Sequence, residues 1–152
     1  MTISTAQIGK CGELLVQLKL LRRGIESAPM GTDTGIDLVV YSPKRNKATT
    51  VQVKANLKPK PSGGKGKPAL DWWLAEDSPA ELIALVDLSS DRVWLLLKDE
   101  VRTLAQQKPK GRMHLYMYTD PSAQPKKAKR LVHAYSFEQY LLENRAHAFF
   151  GV

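Results

Sequence analysis

Between Gly35 and Ala55 the chain reads Gly-Ile-Asp-Leu-Val-Val-Tyr-Ser, then Pro-Lys-Arg-Asn-Lys, then Ala-Thr-Thr-Val-Gln-Val-Lys-Ala. Two β-branched runs flank a polar turn, which predicts a β-hairpin with strands at Ile36–Tyr41 and Thr50–Ala55. Period-two alternation puts Asp37 on one face with Val39 and Tyr41, opposite Ile36, Leu38 and Val40. In the second strand Gln52 and Lys54 share a face, and Val51 and Val53 take the other. Where the two polar faces coincide, a carboxylate, an amide oxygen and an ammonium converge at one end of the hairpin.

That combination has a chemical use. An oxygen-lined cleft with one or two carboxylates holds Mg²⁺, which keeps several waters and takes its remaining ligands from substrate phosphate. A lysine beside it orients or deprotonates an attacking water and balances charge building on phosphorus. Asp37 and Gln52-Val53-Lys54 resemble the signature of the PD-(D/E)XK nuclease superfamily, in which an Asp opens one strand and a Glu-x-Lys or Gln-x-Lys pair ends the next. The fifteen residues from Asp37 to Gln52 suit such a hairpin. Gly35-Ile36-Asp37-Leu38 is similar to the Gly-x-Asp-Leu of the branch containing archaeal Holliday-junction resolvases and Mrr-type restriction enzymes. That branch carries an acidic residue on its first helix, and Glu13 matches it. Gln52 stands where Glu is commoner, removing one negative charge, and Ile36 stands where Pro is common.

The resemblance implies an α/β fold with a restriction-endonuclease-like core, a mixed β-sheet of about five to six strands flanked by helices. It implies a Mg²⁺-dependent DNA endonuclease, with Mn²⁺ as a substitute ion, of the homing, restriction or junction-resolving type. Asp37 then ligates the metal, Gln52 offers its amide oxygen and Val53 its carbonyl. Glu13 acts through a metal-held water, and Lys54 positions the attacking water. The partner is DNA, and a homodimer or homotetramer is expected for cutting two strands. The rival is a non-catalytic nucleic-acid-binding protein that keeps the nuclease fold, which the charge missing at Gln52 favours. A basic RNA- or protein-binding domain in which these residues coincide by chance is a second rival.

The whole chain agrees with a single domain spanning residues 1–152, long enough to bury a sizeable core. No stretch approaches the roughly 18 unbroken apolar residues of a membrane span. The N-terminus lacks the basic start and apolar run of a signal peptide, so a cytoplasmic protein is expected. Cys11 cannot form an internal disulfide, and its place among Ile8, Leu14, Leu15, Leu18 and Leu21 predicts a packed thiol. The formal charge of +8 calls for a polyanionic partner.

Taken in order, Ser4–Arg23 has helical periodicity, with Ser4 and Gln7 as a capping box and Gly24 as the stop. Ile25–Pro29 reads as a short strand, and Asp33 in the glycine-containing loop that follows is a turn former or an extra ligand. Asn56–Pro68 holds three prolines, three glycines and four lysines, which predicts a mobile basic loop. Glu81–Leu88 and Arg92–Lys98 read as strands, Lys98–Gln107 as a short helix, Arg112–Thr119 as a strand with one wetter face, and Ser136–Phe150 as a closing helix. Of Trp72 and Trp73, at least one belongs to the core, and the other is a candidate for base stacking. A second basic loop covers 121–130. The cations assigned to DNA are Lys44, Arg45 and Lys47 in the hairpin turn, Lys58, Lys60, Lys65 and Lys67 in the first loop, and Lys126, Lys127, Lys129 and Arg130 in the second. His114, His133 and His147 show no metal-ligand spacing.

Overall fold

The first helix, α1 (Thr5–Leu21), begins at a reciprocal cap. The Ser4 hydroxyl accepts from the Gln7 N–H at 3.2 Å, and Gln7 Oε1 accepts from the Ser4 N–H at 2.7 Å. The computed structural model describes residues 2–32, 34–123 and 130–152. After α1 come the strands β1 (Glu26–Pro29), β2 (Leu38–Ser42), β3 (Lys47–Asn56), β4 (Lys60–Pro61), β5 (Pro68–Ala75), β6 (Leu82–Asp87) and β7 (Arg92–Leu97). Helix α2 (Lys98–Leu104), strand β8 (Arg112–Tyr118), a 3₁₀ segment (Ala134–Tyr140) and helix α3 (Leu142–Phe150) complete the chain.

Five strands form a mixed sheet in the order β1-β2-β3-β6-β7, antiparallel throughout except for the parallel pair β3 and β6. The other three form a second, antiparallel sheet, β4-β5-β8. Both faces of the mixed sheet are covered, and all six residues of β6 are buried. On one side Val16 and Leu20 of α1 and Leu142, Ala146 and Phe150 of α3 pack on Leu38, Val40, Val51, Ala84 and Leu95. On the other, Leu70, Trp72, Leu74, Met113, Leu115 and Met117 of the second sheet pack on Ile83, Leu85, Trp94 and Leu96.

Four expectations need correcting. Asn56–Pro68 is not a bare loop. Lys60 pairs with Ala69 and Pro61 with Pro68, and the Asn56 side chain closes both backbone groups of Asp71 at 2.8 and 3.0 Å, so the segment is an edge hairpin of the second sheet. The closing helix is broken, because Phe137 buries between the sheets whereas Leu142 buries on the helix side. The chain rounds the edge of the mixed sheet at Leu141, which is extended and bridges to Trp94 of β7. Helix α2 ends at Leu104, short of the expected Gln107. Cys11 is exposed, with Leu14, Leu18 and Leu21 on the same outward stripe, because α1 turns Gly12 toward β3.

Candidate active site

The hairpin of β2 and β3 is in register with Leu38 opposite Val51, and Asp37 extends the ladder one residue further. The Asp37 N–H donates to the Val51 carbonyl at 2.9 Å, and the Asp37 carbonyl accepts from the Met30 N–H at 3.0 Å. Beyond Asp37 the chain leaves β3 through Gly35, whose φ of +86° and a would-be Cβ contact of 2.9 Å with Pro79 both require glycine. This departure opens an edge of β3. The Val53 N–H, which has lost its strand partner there, donates to Asp37 Oδ2 at 2.7 Å. The N–H and C=O of one strand residue project to the same edge, so the Val53 carbonyl faces the gap occupied by the Asp37 carboxylate.

Helix α1 brings Glu13 to that gap. Gly12 lies flush on β3, where an added Cβ would stand 2.7 Å from Ala55 Cβ and 3.4 Å from Val53 Cγ1. Its neighbour Glu13 is held above the usual carboxylate range, first by burial and then by the charge of Asp37, against a smaller opposing pull from Lys10. The two carboxylates that lie 24 residues apart in sequence therefore sense one another in space.

Gln52 and Lys54 follow on the same face of β3, both half-buried. Gln52 Oε1 accepts from the hydroxyl of Ser78 at 2.7 Å, and Ser78 is 3% exposed. Ser78 is itself held twice, its hydroxyl accepting from the Ala80 N–H at 3.4 Å and its carbonyl accepting from Lys98 Nζ at 2.8 Å. An amide oxygen has two lone pairs, so the Ser78 bond orients Gln52 and leaves one acceptor site. Ser78 and Lys98 are positioning residues that the sequence pattern did not single out, since a serine in Asp77-Ser78-Pro79 reads as an ordinary turn.

The oxygens that the sequence resemblance assigns to a metal are two carboxylates, Asp37 and Glu13, an amide oxygen from Gln52 and a backbone carbonyl from Val53. All are hard oxygens, which suits Mg²⁺ or Mn²⁺ and not a soft metal. Among the described residues no group of three or more His, Cys, Asp or Glu side chains is placed to hold a metal, so the set depends on the neutral oxygens. Asp33 lies outside the described residues.

The cations divide. Lys44 and Arg45 form the 3₁₀ turn at the closed end of the hairpin, five residues and about 17 Å of strand from Asp37. Arg45 donates to the His147 carbonyl, and Lys47 pairs with Glu81 at 3.2 Å. The length of β2 and β3 thus carries this turn away from Asp37. Lys58, Lys60, Lys65 and Lys67 follow the other end of β3 and are exposed, with Lys67 near Asp120 at 3.6 Å. Arg130 donates to the Ala105 carbonyl. Lys126, Lys127 and Lys129 lie outside the described residues.

No helix among the described residues is long and apolar enough to cross a membrane. No protein-family model and no curated protein matches the sequence. Solved structures do. A bacterial homing endonuclease, I-Ssp6803I, superposes with a TM-score of 0.61 over 99% of this chain and 94% of its own, at 16% identity. A Holliday junction resolvase, Hjc from Archaeoglobus fulgidus, matches 70% of this chain and 82% of its own, with a TM-score of 0.46 and 12% identity. With a mixed five-strand sheet, an open edge at Asp37 and this near full-length superposition, the chain has a restriction-endonuclease-like fold.

Proposed function

We propose that this chain is a DNA endonuclease that hydrolyses phosphodiesters by in-line attack of water, with Mg²⁺ as its working ion and Mn²⁺ as a substitute. The observation that carries the reading is the Asp37 carboxylate pinned by the Val53 N–H beside Glu13, whose pKa it helps to raise. Two acidic groups held within mutual repulsion are an arrangement that a divalent cation relieves. When bound, the ion supplies a Lewis acid for the phosphate and lowers the pKa of its own water.

The residues divide the remaining work. Asp37, Gln52 and Val53 hold the ion through oxygen, and the Val53 N–H keeps the Asp37 carboxylate from rotating away. Glu13 accepts a hydrogen bond from water on the helix side of the gap. Lys54 donates to the attacking water and fixes its line of approach. Lys58, Lys60, Lys65 and Lys67, with Lys126, Lys127, Lys129 and Arg130, draw in the phosphate backbone, which makes affinity fall with salt. One such centre cuts one strand, so a homodimer or homotetramer belongs to this reading, and the outward Leu14, Leu18 and Leu21 give it an apolar surface to use.

The test is cleavage of plasmid, linear and four-way-junction DNA in Mg²⁺, Mn²⁺ or EDTA, beside Lys54→Ala. Metal-dependent cutting that the variant loses while still binding DNA supports the assignment, and the substrate cut selects among homing, restriction and junction-resolving roles. Light scattering gives the oligomeric state. A second reading, a DNA-binding protein without catalysis, is favoured by the neutral Gln52 and the two-carboxylate donor set. Binding without cutting in either metal, on every substrate, selects it.

A further inference from the structure

The outer face of the second sheet carries an aromatic surface that the nuclease site does not use. Alternation along β8 sends Met113, Leu115 and Met117 into the core, each 0% exposed, and Arg112, His114, Tyr116 and Tyr118 outward. A sheet with one wet face ordinarily carries polar side chains there. Here three of the four outward positions are rings, and β5 adds Trp73 directly opposite His114.

These rings form one continuous row. The Arg112 guanidinium lies 4.4 Å from the Trp73 ring centre, and Trp73 stacks on His114 at 4.1 Å with planes 6° apart. His114 to Tyr116 and Tyr116 to Tyr118 are each 5.7 Å. Trp73, His114, Tyr116 and Tyr118 are all only half-buried. The hairpin at Lys60–Gly63 rises beside the row and closes one wall of a cavity of about 520 Å³. Ala69 sits opposite Tyr118, and its short side chain makes room there. The cavity falls within the roughly 300–1,000 Å³ of small-ligand sites. His114, Tyr116 and Tyr118 line it together with Lys60, Asp71 and Gln107, and the His114 ring is held between Asp71 Oδ2 at 2.9 Å and Gln107 Oε1 at 3.3 Å.

The cavity is mechanically joined to the candidate active site. Gln52, Lys54 and Asn56 share one face of β3, and the Asn56 amide is the group that clamps the backbone of Asp71. Lys54 and Asn56 are two residues, or about 7 Å, apart along the strand. The Asn56 bonds thus tie β3 to β5, the strand that pairs with the ring-bearing β8.

We propose that this cavity receives an unstacked nucleobase of the DNA strand being cut, a few nucleotides from the scissile phosphate. The base stacks on the ring row, Asp71 or Gln107 meets its polar edge, and Lys60 holds the adjoining phosphate. The inference rests on the reading of the chain as a DNA nuclease and names the part of the substrate that this surface takes.

The test uses the full chain in EDTA, so that nothing is cut, and compares binding of dT12 with that of a 12-mer of abasic sites carrying the same charge. Stacking one base gives dT12 an advantage of at least about fivefold. Tyr116→Leu and Tyr118→Leu remove that advantage and leave affinity for the abasic chain unchanged, which also shows that they fold. Equal binding of the two probes by the unsubstituted protein, or an advantage that survives both substitutions, overturns the proposal and leaves the nuclease reading standing. Variants that lose both probes alike overturn it too, because the rings then hold phosphate or fold and not a base. If the unsubstituted protein binds neither probe, the proposal falls, and cleavage of plasmid, linear and four-way-junction DNA decides the nuclease reading separately.

Discussion

Replacing Gly12 by alanine sets two effects against each other. Helix propensity favours alanine by about 1 kcal/mol inside a helix. Against that, the new methyl would stand 2.7 Å from Ala55 Cβ and 3.4 Å from Val53 Cγ1. Carbon pairs settle at about 3.5–4.0 Å, so α1 has to withdraw from β3 by about 1 Å. Ala55 Cβ is fixed to the strand backbone and has no rotamer through which to yield, which places the cost in the upper part of the roughly 1–3 kcal/mol range for overpacking. The net is a loss of about 1–2 kcal/mol. At about 2–4 °C per kcal/mol for a chain of this size, thermal unfolding in EDTA, followed by circular dichroism, should show Tm lowered by about 2–8 °C. The same withdrawal carries Glu13 away from Asp37, and a misplacement of about 1 Å is enough to cost on the order of 10²-fold in rate. Cleavage in Mg²⁺ should therefore fall much further than the change in stability explains. A Tm equal to or above that of the unsubstituted protein would refute the packing argument.

Other outcomes follow from the same site. Saturation with Mg²⁺ or Mn²⁺ at about 100 times Kd adds about 2.7 kcal/mol, or roughly 5–11 °C of Tm, and Asp37→Asn should abolish that shift in a thermal scan. Glu13 has a folded-state pKa raised above its ordinary 4.5, so its stabilising contribution is complete below that value and is lost as pH rises through the folded pKa. In EDTA, Glu13→Gln should therefore be the more stable protein at pH 7, with the difference closing as the pH falls to 4.5 and below; a difference that does not change with pH would be the contrary result. Ser78→Ala removes the hydroxyl that orients Gln52, and should weaken metal binding about 10–100-fold in a calorimetric titration while costing only about 1 kcal/mol of stability.

Sequence periodicity disclosed the hairpin because its alternation is local: Leu38, Val40 and Val51 are buried where period two places them. Gln52 and Lys54 fall on one face for the same reason. What it did not disclose depends on contacts between distant segments. The outward turn of Cys11, Leu14, Leu18 and Leu21 follows from Gly12 meeting Ala55, 43 residues away, and an apolar stripe on a helix does not say which of two apolar faces the sheet will take. The short strand β4 was hidden by a glycine- and proline-rich composition, although it pairs with β5, whose Asp71 backbone is held by the Asn56 side chain. The break at Leu141 is equally invisible locally, since helical spacing in Ser136–Phe150 continues across a residue that tertiary packing makes extended. Asp37 and Glu13 were each readable, but the nearness that lets burial and then the charge of Asp37 raise the Glu13 pKa exists only in three dimensions.

The parallel pair of β3 and β6 has a kinetic meaning. Its partners are 31 residues apart in sequence, and the chain between them holds the whole of β4 and β5. Such a contact closes late and slowly, because the loop entropy is lost before the pairing returns anything. The strand bearing Gln52 and Lys54 is therefore anchored on both edges only when most of the molecule is already in place. With β6 sealed on both faces, its amides should exchange with solvent only through global unfolding, and β3 is bonded directly to it. A chain in which β3 has not yet paired with β6 would then lack a complete candidate site.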